Sequence, residues 1–252
     1  MLGESGESRL VRIAVISDVH SNLQALQTVL ARIDELGCDH LWCLGDVVGY
    51  GARPVECLEL VRDRADICIQ GNHDALVAKG GDNTYFNPRS LAAVAHNRQL
   101  LDPDQLAWLG ALPTRHLEAD GTLLAHGSPD DRDRYLITAG DLESVRRTDD
   151  AGAGPGLTFF GHTHQPVIFS ASGPVTAPRG CCALPSGERI LVNPGSVGQP
   201  RDTDPRAAFL WWDRGDNELH FERLEYDLEA ARQEILDAGL PPRLGDRLRE
   251  GR

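Results

Sequence analysis

The chain has no apolar run approaching membrane-spanning length, which excludes a transmembrane helix. Its first ten residues alternate Gly, Glu and Ser without the apolar stretch of a secretion signal, so residues 1–10 read as a disordered leader and the protein as cytoplasmic. Basic charge is in deficit: 25 Lys and Arg stand against 38 Asp and Glu, a formal net charge of -13 at pH 7. Such a surface repels a phosphate polymer, so a long nucleic-acid footprint is not expected, whereas a small phosphorylated substrate remains compatible. Cys38, Cys43, Cys57, Cys68, Cys181 and Cys182 show neither the paired spacing of a structural zinc site nor a small secreted framework, and they read as reduced thiols. Cys43 and Cys68 fall in expected strands, and Cys181 and Cys182 in an expected Pro/Gly-rich loop. There is no internal repeat, and nothing in the composition fixes the oligomeric state.

What the chain does contain is a recurring arrangement. Short apolar runs at 12–16, 41–44, 67–70, 122–125 and 157–160 are each followed by polar groups suited to metals or protons: Asp18 and His20, Asp46, Asn72 with His73 and Asp74, His126, and His162 with His164. Each run reads as a buried strand, so the donors sit at strand carboxyl ends, where loops diverge to form the crevice of an open α/β sheet. After 11–16 and 41–44, helical spacing at Leu23, Leu26, Leu30 and Ile33, and at Leu58 and Val61 behind Pro54, predicts two strand-helix-strand steps with parallel pairing. Residues 87–112 predict a helical cap segment, with Pro88 and Pro103 near helix starts. Residues 114–119 and 121–125 predict a hairpin, and 151–156 a flexible connection. Later strands are expected at 189–192, 207–213 and 218–226, followed by a helix at 228–238 ending at Gly239. Parallel units first and antiparallel strands afterwards give an α/β (α+β) class: a four-layer αββα sandwich of two mixed sheets, one domain over 11–240, with a tail at 241–252 that frays in solvent.

The donor types define a chemistry. Asp18 and His20, two apart on extended backbone, project to one side and can hold one ion. Asp46 offers two carboxylate oxygens and is the natural bridge, while Asn72 adds an amide oxygen and His126, His162 and His164 add imidazoles. This mixture suits two borderline divalent ions, Mn, Fe, Zn or Ni with Mn favoured, better than Ca or Mg. Two such ions bring four positive charges, of which Asp18 and Asp46 cancel two, so the pocket is cationic within an acidic protein and suits a phosphoryl group. His73 is the candidate proton donor to the leaving group, with Asp74 beside it to orient the ring.

These motifs together resemble the calcineurin-like metallophosphoesterase superfamily across roughly residues 12–201. The resemblance implies that Asp18, His20, Asp46 and His164 hold one metal and that Asp46, Asn72, His126 and His162 hold the other; it implies the αββα fold and the proton-donor role of His73 as well. The blocks 17–22, 45–51 and 193–201 are similar to the small bacterial and archaeal phosphodiesterase branch, some relatives of which hydrolyse dinucleoside polyphosphates. Ser21 stands where that family usually has glycine. Arg201, a candidate phosphate clamp, completes the expected substrate-binding set with Asn193 and Asn22, and Tyr50 and His96 are expected to pack near the pocket. The expected function is a dinuclear phosphoesterase acting on a small phosphodiester or nucleotide-type anhydride. A protein serine/threonine phosphatase and a non-catalytic scaffold retaining the fold are the alternatives.

Overall fold

Strand β1 (Arg12–Ile16) shows why two layers can share one strand. Successive side chains point to opposite faces, so Ile13 and Val15 enter one core cluster and Ala14 and Ile16 another. The same alternation runs through β2 (His40–Cys43), where Trp42 faces inward between the sheets and Leu41 and Cys43 face the outer helices. The structure, a computed structural model, describes residues 11–252 apart from 82, 83, 85, 149–155, 177 and 186. The expected leader and nearly all of the connection at 151–156 therefore lie outside the described residues.

Two six-stranded sheets result. In the first, β2 pairs with β1 and with β3 (Ile67–Cys68) in parallel, and β11 (Ala207–Asp213), β12 (Glu218–Leu224) and β9 (Gly180–Ala183) extend the other side antiparallel. In the second, β5 (Leu123–Ala125), β6 (Leu157–Phe159) and β10 (Ile190–Asn193) run parallel. They are flanked by antiparallel β4 (Arg115–Leu117) on one side and β7 (Val167–Ser170) and β8 (Gly173–Thr176) on the other. Between the sheets, Ile13, Val15, Trp42 and Leu44 meet Leu124, Phe159, Ile190 and Val192. Outside the first sheet, α1 (Leu23–Leu36) and α2 (Pro54–Arg64) pack on Ala14, Ile16 and Phe209. Outside the second, α6 (Ala139–Thr148) sets Leu142 and Val145 against Phe160, Phe169 and Leu191. The four-layer αββα arrangement expected from the order of elements is present.

The expected cap is two helices, α4 (Pro88–Leu100) and α5 (Pro103–Ala111), with Asn87 and Asp102 as N-caps and each proline at the first turn. Two expectations are corrected. Cys181 and Cys182 lie in β9, paired antiparallel with β12, and not in a loop. The segment expected to fray forms helix α8 (Pro242–Glu250), whose Leu244 and Leu248 are buried against Ala231 and Ile235 of α7 (Leu228–Asp237). Its charged majority hides an i,i+4 leucine pair, opened by Pro242 and closed by Gly251 at φ 60, a left-handed cap. Leu248→Ala is expected to cost about 2–5 kcal/mol of stability, seen as an earlier urea midpoint at unchanged slope.

Candidate active site

The parallel strands of both sheets end on the same edge, and the loops leaving them are stitched together by backbone hydrogen bonds. The N–H groups of Asp18 and His20 donate to the carbonyls of Gly45 and Asp46 at 3.0 and 2.9 Å, and that of Gly161 donates to His126 at 2.8 Å. The loop after β10 closes the ring, with the N–H of Gly198 donating to the carbonyl of Asp18 at 3.0 Å. This lacing forces the backbone into uncommon conformations: Asp18, His20, Ser21, Asp46, Tyr50, His162 and His164 all have φ between 50 and 65. A left-handed conformation costs a non-glycine residue on the order of 1–3 kcal/mol, and such strain gathers at functional sites. Asp18 and His20 thus converge through left-handed turns, which corrects the extended backbone inferred from their spacing. Ser21 adopts φ 54, the reason glycine suits this position, and its hydroxyl donates to Asn97 Oδ1 at 2.8 Å. Gly71 is required at its position because a Cβ there would collide with the Asp46 carboxylate.

The donors come together in buried groups. Potential ligand atoms of Asp18, His20 and His164 lie within 4.8 Å of one another, as do those of Asp46, His126 and His162. Asp46 lies between the groups, its Oδ2 3.6 Å from His20 Nε2 and 3.3 Å from His126 Nε2. Asn72 Oδ1 is 3.1 Å from His126 Nε2. The chemistry of the donor set is its own test for a cation. Nδ1 of His20, His126 and His164 each meets a backbone carbonyl, of Val48 at 3.1 Å, Leu44 at 2.7 Å and Gln199 at 2.6 Å. A carbonyl only accepts, so the proton sits on Nδ1 and the Nε2 lone pair points inward. His20 and His164 consequently aim two lone pairs at each other across 3.1 Å, beside an Asp18 Oδ1 that is buried without a hydrogen-bond partner. A cation satisfies all three of these atoms at once. His162 engages Nε2 with the Asp133 carbonyl at 3.2 Å, leaving Nδ1 for the cluster. The residues fit the divalent pair that the sequence motifs imply.

Proton affinities report the same field. Burial lowers His20 and His164 and holds His162 down to about 3. His126 is the exception: burial opposes it, but the Asp46 carboxylate pushes it up to about 10, so a proton and a metal compete for that position. Both carboxylates stay ionised; burial disfavours the charge of Asp18 and Asp46, and the imidazoles of His164 and His126 outweigh it.

His73 begins α3 (Asn72–Lys79), and its N–H donates to Asp46 Oδ1 at 2.8 Å. Its ring meets those of His20, Tyr50 and Phe86 at 4.9, 4.4 and 4.8 Å, and its buried Nδ1 has no hydrogen-bond partner. Burial, with Arg201 second among the lowering effects, brings it down to about 4. Asp74 does not orient this ring, which corrects its expected role. Its carboxylate accepts from the N–H of Gly71 at 3.0 Å and of Val48 at 3.1 Å, capping α3 and tying it to the Asp46 loop. Burial and the nearby Asp46 charge raise it to about 7.

The remaining candidates separate. Arg201 lies beside the cluster: its Nη2 donates to Gln199 Oε1 at 3.0 Å, its guanidinium is 5.6 Å from the Tyr50 ring centre, and its buried Nε has no partner. Asn22 accepts from the N–H of Ala25 at 3.2 Å as the cap of α1 and donates to the Gly198 carbonyl at 2.9 Å. Asn193 donates to the Gly161 carbonyl at 2.8 Å and accepts from the N–H of Gly195 at 2.8 Å. Both amides are engaged by the loops that frame the donors, so neither offers substrate a free group. Two residues escaped the sequence reading. Buried Asn97 of α4 accepts from Gly49 N–H at 2.6 Å and donates to the Gly51 carbonyl at 3.0 Å, and Tyr135 stacks on His162 at 3.8 Å. Nothing local marks either, because a helical asparagine and a loop tyrosine carry no spacing signal.

The family model described as the calcineurin-like phosphoesterase superfamily domain matches residues 11–214, and the chain belongs to that superfamily. A crystal structure of a metallophosphoesterase from Sphaerobacter thermophilus superposes with a TM-score of 0.86 at 36% identity, covering 96% of this chain and 100% of that one. An uncharacterized Methanocaldococcus jannaschii protein is 36% identical over 95% of this chain and 98% of its own length. Phosphodiesterase YfcE of Escherichia coli is 25% identical over 79% of this chain and 85% of its own. The chain is a hydrolase of phosphoester bonds. No helix among the described residues is long and apolar enough to cross a membrane.

Proposed function

We propose a dinuclear metal-dependent phosphoesterase that hydrolyses a small phosphodiester or a nucleotide-type phosphoanhydride. The observation that carries this reading is the set of inward imidazole lone pairs around Asp46, flanked by a buried, unpaired Asp18 oxygen. Asp18, His20, Asp46 and His164 would hold one ion, and Asp46, Asn72, His126 and His162 the other, with manganese favoured. When bound, the pair supplies water of lowered pKa and neutralises phosphoryl oxygens during in-line displacement.

The chain's own residues do the rest. Backbone carbonyls fix the imidazoles in one tautomer, so no ring must reorganise to ligate. His73 faces the cluster on the side of Tyr50 and Phe86, with its Nδ1 edge packed against Gly49, and its ring is the group from which a proton would pass to the leaving oxygen. Arg201 brings a planar fork for a non-bridging phosphoryl oxygen. The six free cysteines suit a reducing cytoplasm. Chelator-stripped protein should hydrolyse an aryl phosphodiester at background rate and recover with manganese; full activity in stripped protein would refute the mechanism.

A further inference from the structure

Lysine is almost absent from this chain, Lys79 being the only one, and arginine gathers beside the site despite a net charge of -13. A cavity of about 290 Å³ lies between the start of α4 and helix α8, lined by Tyr50, Arg89, Arg243, Arg247 and Arg252. No acidic side chain lines it. Arg243 holds Glu250 through both Nη atoms, at 2.6 and 2.8 Å, and Arg247 Nε donates to the main-chain oxygen of Arg252. Arg89 and Arg247 have no carboxylate side chain as partner among the described ion pairs. Arg247 is lowered to about 10, by burial first and then by Arg201, Arg243 and Arg89, so these cations press on one another. Like charges are gathered at such a cost when a ligand carries the opposite sign.

One ring, that of Tyr50, lines the cavity and also packs against the site. Tyr50 lies 4.4 Å from the His73 ring, and the guanidiniums of Arg201 and Arg247 each lie 5.6 Å from its centre. Those legs put Arg247 within about 10 Å of the proposed proton donor, with Arg201 near His73 and His164. We propose that Arg89, Arg243 and Arg247 form a second anion subsite, which takes a phosphoryl group of the substrate other than the one being cleaved. The preferred substrates then carry at least two phosphoryl groups, as a short phosphoanhydride chain does, with the leaving portion lying along Tyr50 toward α8. Guanidinium forks suit this task because a fork without a carboxylate partner among the described residues, as in Arg89, can grip two phosphoryl oxygens, while Arg243 would exchange its Glu250 contacts for the anion. This inference rests on the phosphoesterase reading for the cleavage itself, but the subsite stands on its own residues.

The test compares a dinucleoside tetraphosphate with a nitrophenyl phosphodiester bearing a single phosphoryl group, using manganese-loaded protein and the variants Arg89→Gln, Arg243→Gln and their combination. Arg89 and Arg243 are exposed, so the fold should survive, and a thermal melt checks this. The ratio of kcat/KM, tetraphosphate over single-phosphoryl diester, is expected to fall about tenfold per substitution and further in the double variant. Parallel losses on both substrates, or no loss, overturn the proposal. Calorimetry with magnesium tripolyphosphate gives a readout independent of turnover. Binding by the wild type that weakens about tenfold or more in the double variant supports the subsite, and absent or unaltered binding overturns it. If the wild type cleaves neither substrate, the hydrolytic reading fails while the calorimetric arms still decide this one.

Discussion

Asp46→Asn is expected to lower metal affinity by more than about 100-fold and to remove turnover, since a ligand common to two ions must matter more than an outer-shell partner, whose loss costs roughly 10–100-fold. The substitution is isosteric, and the new amide would keep an oxygen to accept from the His73 N–H, which now donates to the carboxylate at 2.8 Å. What disappears is one buried charge facing His20 and His126 at 3.6 and 3.3 Å. That charge is strong enough to push His126 up to about 10 against burial, and it is the same attraction that a cation would use. Metal analysis after gel filtration, beside a thermal melt showing a folded protein, checks the prediction. Wild-type metal content in the variant would remove Asp46 from its bridging position.

His73→Ala separates proton transfer from metal binding. Its ring touches His20, Tyr50 and Phe86, and a ring nitrogen lies within 4.8 Å of ligand atoms of His20 and Asp46, but it belongs to neither proposed ligand set, so metal content should hold while kcat falls by about 10²–10⁴ on esters with poor leaving groups. An aryl ester, whose leaving group needs little protonation, should lose far less. That difference distinguishes a proton donor from a residue that only shapes the pocket, which would depress both substrates alike. Equal loss across leaving groups would assign His73 to positioning.

The metal-ligand candidates were legible because each combines two local signals, an apolar run that forms a strand and a donor type that has few reasons to follow one. Parallel pairing then brings strand ends to a common edge, which is how Asp18, Asp46, Asn72, His126, His162 and His164 meet across both sheets. Residues whose role depends on a partner far along the chain were not legible in the same way. Asp74 neighbours His73 in sequence, yet on a helix adjacent side chains diverge, and its carboxylate turns back to the Gly71 and Val48 amides. Asn97 and Asn22 look like ordinary polar residues until the loops they hold are in place. Helix α8 resembles a solvated tail in sequence because its charges outnumber its leucines. The face those leucines bury is supplied by α7, and only the folded chain brings α7 within reach.

The central claim, two cations gripped around one aspartate, is tested most directly by anomalous diffraction at the manganese edge from crystals grown with manganese. Two peaks about 3.5–4 Å apart, each within bonding distance of an Asp46 oxygen and inward imidazole nitrogens, are predicted. A single peak, or peaks that leave Asp46 uncoordinated, would contradict it.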